Sequence, residues 1–353
     1  MVKVRIGIIG AGRLGGFHAS KAANDPEVDF IGVSDVLEEN RKRVAAQWNV
    51  RDFATVEELL LNVDAVVLAA PSVLHAEIGR KVLKAGKHLL VEKPATTTGV
   101  TALELARIAK EKKLVLQVGH VEQHNPAWRA AQQYLLAVRS GKVPAFVDAT
   151  RTSGYTFRST DVGATFDLMI HDLELILSLI PSAITRVSAF GLSQFGGFED
   201  ASFATLEFEN GSIARFKASR VEMNAIRQTT IRTSSQSLFI DFAARSAKLV
   251  RPKKEILEGT FGPDKVSFPE MASRVTTFMQ EEYETEELVK EPFDALALEM
   301  RDFVSAILRG TPSTVPGDRA AQAVVVAESI VRDLEARARQ AEIAPLRTLK
   351  IAG

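Results

Sequence analysis

A line of four polar side chains, with Asp172 beside it, runs through a stretch of this chain that is otherwise built to be buried. Phe166 to Pro181 reads FDLMIHDLELILSLIP. At helical period it is apolar nearly all round, the pattern of a core helix. Asp167, His171, Glu174 and Ser178 fall at i, i+4, i+7 and i+11, along one face. Burying a neutral polar group without a partner costs roughly 2–7 kcal/mol, and burying a charge costs more. The stripe therefore either satisfies itself inside the core or lines a cleft. An imidazole titrates near neutrality, so His171 one turn from a carboxylate is a candidate for proton transfer.

A second group of residues suits a dinucleotide. Val4 to Ile9 is a continuous apolar run, as in a parallel strand covered on both faces. It enters Gly10-Ala11-Gly12-Arg13-Leu14-Gly15, and a helix is predicted from about Leu14 to Ala23. Gly10 permits the tight turn, Gly12 lets backbone approach a pyrophosphate, and Gly15 lets the helix sit close to the strand. The helix N-terminus offers free N–H groups and a positive dipole end to phosphate. The next strand, Val28 to Ser34, ends at Asp35, twenty residues after Gly15. An acid there binds the ribose hydroxyls and repels a 2′-phosphate. No Arg follows until Arg41, so NAD is predicted over NADP.

These residues need a sheet that gathers strand ends. Strands and helices alternate through Val118, with Ala70-Pro71, His75, Glu92-Lys93 and Gly119-His120 following further strands. Alternation predicts a doubly wound parallel sheet, which binds ligands at the carboxyl ends of its strands. The predicted cofactor contacts are Gly10, Gly12, Arg13, Leu14, Gly15, Asp35, Ala70, Pro71, His75, Glu92 and Lys93.

Composition narrows the function. The 353 residues exceed one ordinary core, so two domains are expected, 1–122 for the cofactor and 123–353 for substrate and oligomerisation. Lys+Arg and Asp+Glu balance at 44 each, which gives no case for nucleic acid or an anionic membrane. Without cysteine there is no disulfide, thiol or Cys-zinc chemistry, and no HExxH spacing occurs, so no metal site is predicted. No apolar run is long enough to span a membrane and no leader is evident, so a cytoplasmic protein is expected.

The second half is richer in Phe: sixteen of 19 lie beyond residue 120. After Asn125-Pro126, a helix (127–140), a strand (145–152) and the polar loop 153–163 lead to the 166–181 helix. Five strand-like runs follow between 185 and 242, with a hairpin signal at Glu209-Asn210-Gly211-Ser212. They predict an α+β domain with a mostly antiparallel sheet, open on one face. Apolar residues occupy both alternation phases (Phe203, Leu206, Phe208; Ile213, Phe216), so the open face is expected to meet a partner. Two helices, 296–308 and 318–340, close the chain.

With Glu92-Lys93-Pro94 in view, the chain resembles the Gfo/Idh/MocA family of NAD(P)-dependent oxidoreductases. GIIGAGRLG, AAPSVLH, EKP, DLMIH and EMRDFVSAILRG with its following VPG carry the resemblance over nearly the whole length. It implies that Lys93, Asp167 and His171 surround the nicotinamide and the reacting hydroxyl. It also implies a cis Lys93–Pro94 bond and a homodimer or homotetramer joined through the second sheet. Lys93 would favour a developing alkoxide; whether Lys93 or His171 takes the proton stays open. His120, His124, Arg151, Tyr155 and Arg158 are candidate substrate contacts.

VGHVEQHNPA, DLMIHDLEL and KASRVEMNAIR are similar to members that oxidise the 3-hydroxyl of a UDP-N-acetylhexosamine, with Gln123-His124 where that subgroup has Arg-Phe. A sugar or nucleotide-sugar substrate is implied. The diphosphate would call for cationic donors, for which Arg151, Arg158, Lys217 and Arg220 are candidates. An inositol or free-sugar dehydrogenase is the alternative, and a non-catalytic NAD-binding regulator the alternative of another class.

Overall fold

A computed structural model describes residues 2–157, 161–195, 197–261, 266–289 and 293–340. The first part alternates β1 (Val4–Ile9), α1 (Arg13–Asn24), β2 (Val28–Ser34), α2 (Glu38–Trp48), β3 (Arg51–Phe53), α3 (Val56–Leu60), β4 (Ala65–Leu68), α4 (His75–Lys84), β5 (His88–Glu92), α5 (Gly99–Glu111) and β6 (Leu116–Gly119). All six strands pair in parallel in the order β3-β2-β1-β4-β5-β6. The order reverses beside β1, which opens the crevice where a dinucleotide binds. Buried Val, Ile and Leu fill these strands because helices cover both faces of the sheet.

The second part begins with α6 (Pro126–Gln132) and α7 (Leu136–Arg139), then β7 (Phe146–Thr152), a π-helical turn (Thr165–Met169) and α8 (Ile170–Leu179). It continues as β8 (Ile184–Leu192), β9 (Ala201–Phe208), β10 (Ile213–Ser219), β11 (Ile226–Arg232), β12 (Ser237–Asp241) and β13 (Ser246–Pro252). Three short helices follow, α9 (Lys254–Leu257), α10 (Phe268–Arg274) and α11 (Phe278–Glu282), then β14 (Tyr283–Glu287), α12 (Ala295–Arg309) and α13 (Gly317–Gln340). The eight strands run β14-β13-β12-β11-β7-β10-β9-β8. Only β7 and β10 pair in parallel, so the sheet is mixed and mostly antiparallel.

Three expectations need adjusting. First, α12 is not part of the second domain's core. It buries Met300, Phe303 and Val304 against Val4, Ile6, Ala19, Val67 and Leu90, within the first domain. The crossover helices α1 and α2 leave the β4–β5 end of that face bare, and α12 returns along the chain to cover it. Second, the 166–181 segment is not one α-helix; its first turn is π-helical. Third, the open sheet face is mixed rather than apolar. Phe190, Phe203, Ile213 and Phe239 are exposed there, interleaved with Arg215 and Arg232, both paired to Asp148. Among the described residues, no helix is long and apolar enough to cross a membrane.

Candidate active site

The Gly10–Gly15 loop has the form a pyrophosphate requires. Gly10 has φ +92°, and a Cβ there would stand 2.7 Å from the Ala69 carbonyl. A Cβ on Gly15 would lie 1.8 Å from the Gly10 oxygen, so the helix start and the turn are in contact. Around Gly12 the space is open, with nothing within 4 Å of a built Cβ. Gly12 is also the N-cap of α1, with no side-chain cap and no acid in the first turn, so the helix N–H groups remain available to an anion. At the end of β2, Asp35 accepts hydrogen bonds from the Ala11 and Leu37 N–H groups at 2.7 and 2.8 Å. Those bonds tie the acid to the glycine loop and leave lone pairs for hydroxyl donors. Arg13 and Leu14 are exposed beside the loop. These residues fit a nicotinamide dinucleotide.

The second domain brings its polar stripe to the ends of β5 and β6. Lys93 Nζ donates to the Asp167 main-chain carbonyl at 2.7 Å and to its carboxylate at 2.9 Å. The Lys93–Pro94 bond is cis. The wider π turn is where Asp167 offers both oxygens to one ammonium, and such turns recur at functional sites. Glu199 anchors the start of the turn by accepting from the Thr165 N–H at 2.9 Å. Lys93 and Asp167 keep 18% and 20% of their side-chain surface exposed, so the pair is within reach of solvent and of a ligand. His171 follows on α8. Burial, then the charges of Lys93 and Arg151, hold its pKa well below the ordinary value, so it is neutral at pH 7. Its Nδ1 is buried without a partner among the described residues, which leaves Nε2 as the nitrogen for a ligand.

The rest of the stripe is structural. Gln123 donates to Glu174 and Ser178, Arg319 donates to Glu174, and Trp128 donates to Gln123. Gln123 thus serves the core rather than the cleft.

Several candidates have other tasks. Arg151 is a correction: it is buried, with its guanidinium bonded to Asp172 at 3.0 and 2.9 Å and to Glu122 at 2.8 Å. Arg220 is likewise buried and bonded to Asp200 and the Val162 carbonyl, and Lys217 pairs with Glu222. His75 is buried, its two ring nitrogens each 2.8 Å from the carbonyl oxygens of Pro94 and Ala70. It ties the two loops together, with Ala70 and Pro71 left nearer the surface. Glu92 points inward to His18 at 2.6 Å, beneath the site. The physical reason is common to the buried Arg151, Arg220, His75 and Glu92: a charged or polar group inside a protein is stable only when partnered.

His120 is buried beside His171, ring edge to ring face with centroids 6.2 Å apart, and neither of its nitrogens has a partner among the described residues. Burial, with Lys93 and Arg319, pushes its pKa down to about 3. His124 is also buried, 4.0 Å from Asp302. Tyr155 packs on Phe157 and Phe195, with Arg220 over its ring. Arg158 lies outside the described residues.

Two features escaped the sequence. Arg227, exposed on β11, is paired in register with Arg151 and so points to the same side of the sheet. Its charge reaches His171, whose pKa it helps to lower. The β-register alone carries that signal. The second feature is a cluster of His18, Glu92 and Glu299, each with one ligand-type atom within 4.8 Å of the others.

Comparison with known proteins agrees with this geometry. Residues 4–120 match the Gfo/Idh/MocA oxidoreductase family, NAD-binding Rossmann fold, and residues 137–238 match the Gfo/Idh/MocA C-terminal domain. The chain is 32% identical to UDP-N-acetylglucosamine 3-dehydrogenase from Acidithiobacillus ferrooxidans, over 88% of this chain and 91% of that one. A solved structure of that enzyme superimposes with a TM-score of 0.81, at 29% identity, covering 95% of this chain and 99% of the other. The chain is also 28% identical to scyllo-inositol 2-dehydrogenase (NAD(+)) from Bacillus subtilis strain 168, over 67% of this chain and 74% of that one. GenD2 from gentamicin A biosynthesis, solved in complex with NAD, matches at 25% identity and TM-score 0.72, with 95% of each chain covered. From its glycine loop to its mixed second sheet, this chain belongs to the Gfo/Idh/MocA family of NAD(P)-dependent oxidoreductases.

Proposed function

We propose that the protein oxidises a secondary hydroxyl of a nucleotide sugar, the 3-hydroxyl of a UDP-N-acetylhexosamine, with NAD and with Lys93, Asp167 and His171 as its acid–base groups. The observation that carries this reading is the bond from Lys93 to Asp167 across the domain join, with the neutral His171 one turn further on. NAD bound along the glycine loop supplies the hydride acceptor. His171 accepts the hydroxyl proton through Nε2, the nitrogen that is not buried. Lys93 donates from Nζ to the same oxygen as negative charge grows. Asp167 holds the ammonium in place and keeps its charge local. Asp35 takes the ribose hydroxyls and disfavours a 2′-phosphate.

Two observations support an anionic sugar donor. One is the similarity, over most of both chains, to a UDP-N-acetylglucosamine 3-dehydrogenase. The other is Arg227, an exposed guanidinium near His171 with no ion pair among the described residues, which suits a diphosphate. The inositol reading is the runner-up, favoured by the similarity to a scyllo-inositol dehydrogenase. The test is NADH formation from UDP-N-acetylglucosamine, UDP-N-acetylgalactosamine, free aldoses and inositols. Turnover of an inositol but of neither nucleotide sugar would replace the first reading with the second.

We also propose that two copies pair through the open face of the second sheet, where exposed Phe190, Phe203 and Phe239 lie among charged side chains. Light scattering of the wild type and of Phe203→Glu tests this; a monomeric wild type rejects it.

A further inference from the structure

Beneath the lysine lies a polar cluster that the mechanism above does not use. His18 on α1, Glu92 at the end of β5 and Glu299 on α12 converge there, all buried. His18 Nε2 and Glu92 Oε1 are 2.6 Å apart, and Glu92 Oε2 accepts the Lys93 main-chain N–H at 3.2 Å. Glu299 is completely buried, and neither of its carboxylate oxygens has a hydrogen-bond partner among the described residues. A buried carboxylate without a partner is too costly to persist, so a proton, a cation or a hydrogen-bond donor must meet it.

A metal ion fits poorly. Two ligands of one small divalent ion each sit about 2.0–2.2 Å from it, which holds them about 3 Å or more apart. The 2.6 Å between His18 and Glu92 is instead the length of a direct hydrogen bond. A proton fits. Burial, then the charges of Glu92 and Asp302, raise the Glu299 pKa well above its ordinary value. Glu299 faces Glu92 from β5 and His18 from α1, with Asp302 on its own helix and His124 beside Asp302. No cation from these elements reaches its oxygens among the described residues. A carboxyl rotation, or one bridging water, spans the remaining gap to Glu92.

We propose that Glu299 is a neutral acid that donates to Glu92, and that together with His18 it clamps Glu92 so that the Lys93 backbone is held for catalysis. Glu299 is thus a positioning residue, remote in sequence and on the helix that returns to the first domain. The inference rests on the reading of Lys93 as catalytic.

The test compares wild type, Glu299→Gln and Glu299→Ala. The first readout is independent of substrate: the infrared carboxylic-acid C=O band at pH 7, present in wild type and lost in Glu299→Gln. The second is NADH formation from UDP-N-acetylglucosamine, or from whichever alcohol the screen returns, between about pH 6 and about pH 10. Glu299→Gln keeps a neutral donor. It should hold kcat near wild type and lose the alkaline decline that wild type shows as Glu299 ionises. Glu299→Ala should lower kcat about 10- to 100-fold with NADH binding unchanged. Absence of the acid band, one equivalent of metal in the purified protein, or a Glu299→Gln enzyme with wild type's alkaline limb would overturn the proposal. If Glu299→Ala does not fold, the band and the Glu299→Gln profile decide. Full activity of Lys93→Ala would reject the catalytic reading alone, leaving the band to report on the proton.

Discussion

The segment that begins at Thr165 carries two charged constellations, each a basic side chain set against carboxylate. On one side, Lys93 meets Asp167 with His171 adjacent; on the other, Arg151 meets Asp172 and Glu122. The first is partly exposed, and His171 keeps a nitrogen available. The second is buried, and its guanidinium is held by three hydrogen bonds to two carboxylates. Burial raises the Asp172 pKa, and Arg151 opposes the rise. Spare bonding capacity beside a cleft marks a group that acts on a ligand; complete pairing in the core marks one that holds the fold. Lys93 replaced by Arg would not be equivalent either, since a planar fork suits two carboxylates and a compact ammonium suits one reacting oxygen.

The sharpest test of that contrast removes the cleft groups. Lys93→Ala and His171→Ala are each expected to lower kcat by about 10²- to 10⁴-fold while unfolding at nearly the wild-type temperature and binding NAD nearly as well. Full activity in either variant would break the comparison on the functional side. Arg151→Ala leaves two buried carboxylates without their counter-charge, and is expected to cost about 3–5 kcal/mol in urea unfolding. A stable Arg151→Ala protein that loses only substrate affinity would break it on the structural side.

Smaller effects refine the picture. Asp35→Ala should weaken NAD by about tenfold and narrow its advantage over NADP, read from KM for both cofactors. Unchanged preference would detach Asp35 from the ribose. The pH profile tests the state of His171. Its pKa is depressed from 6.5, so the neutral base persists as pH falls through 6.5 and is lost only further down. Alcohol oxidation should therefore keep its kcat/KM through pH 6.5, whereas an unperturbed base would be half lost there. An acid limb centred at 6.5 or above would contradict the buried environment of His171.

Much of the architecture was legible in the residues. Gly10, Gly15 and Asp35 announced a dinucleotide loop because each position has a backbone or charge requirement few residues meet. The β-runs after Pro181 announced a second sheet through alternation and the Asn210-Gly211 turn. The motif GxGxxG, the tripeptide EKP and the D-x-x-x-H spacing pointed to the family and drew attention to Lys93 and Asp167, which bond to each other, and to His171 one turn further on. The hidden parts were those that depend on partners distant in the chain. Nothing local distinguishes Arg151 from a substrate-binding arginine, since Glu122 and Asp172 lie 29 and 21 residues away. Nor does local sequence reveal that α12 covers β1 or that Glu299 arrives beneath Lys93. Local sequence determines backbone geometry and periodicity because those forces act over a few residues. Which charges are paired, buried or left free was decided by the tertiary structure, because desolvation and ion pairing depend on what the fold brings alongside.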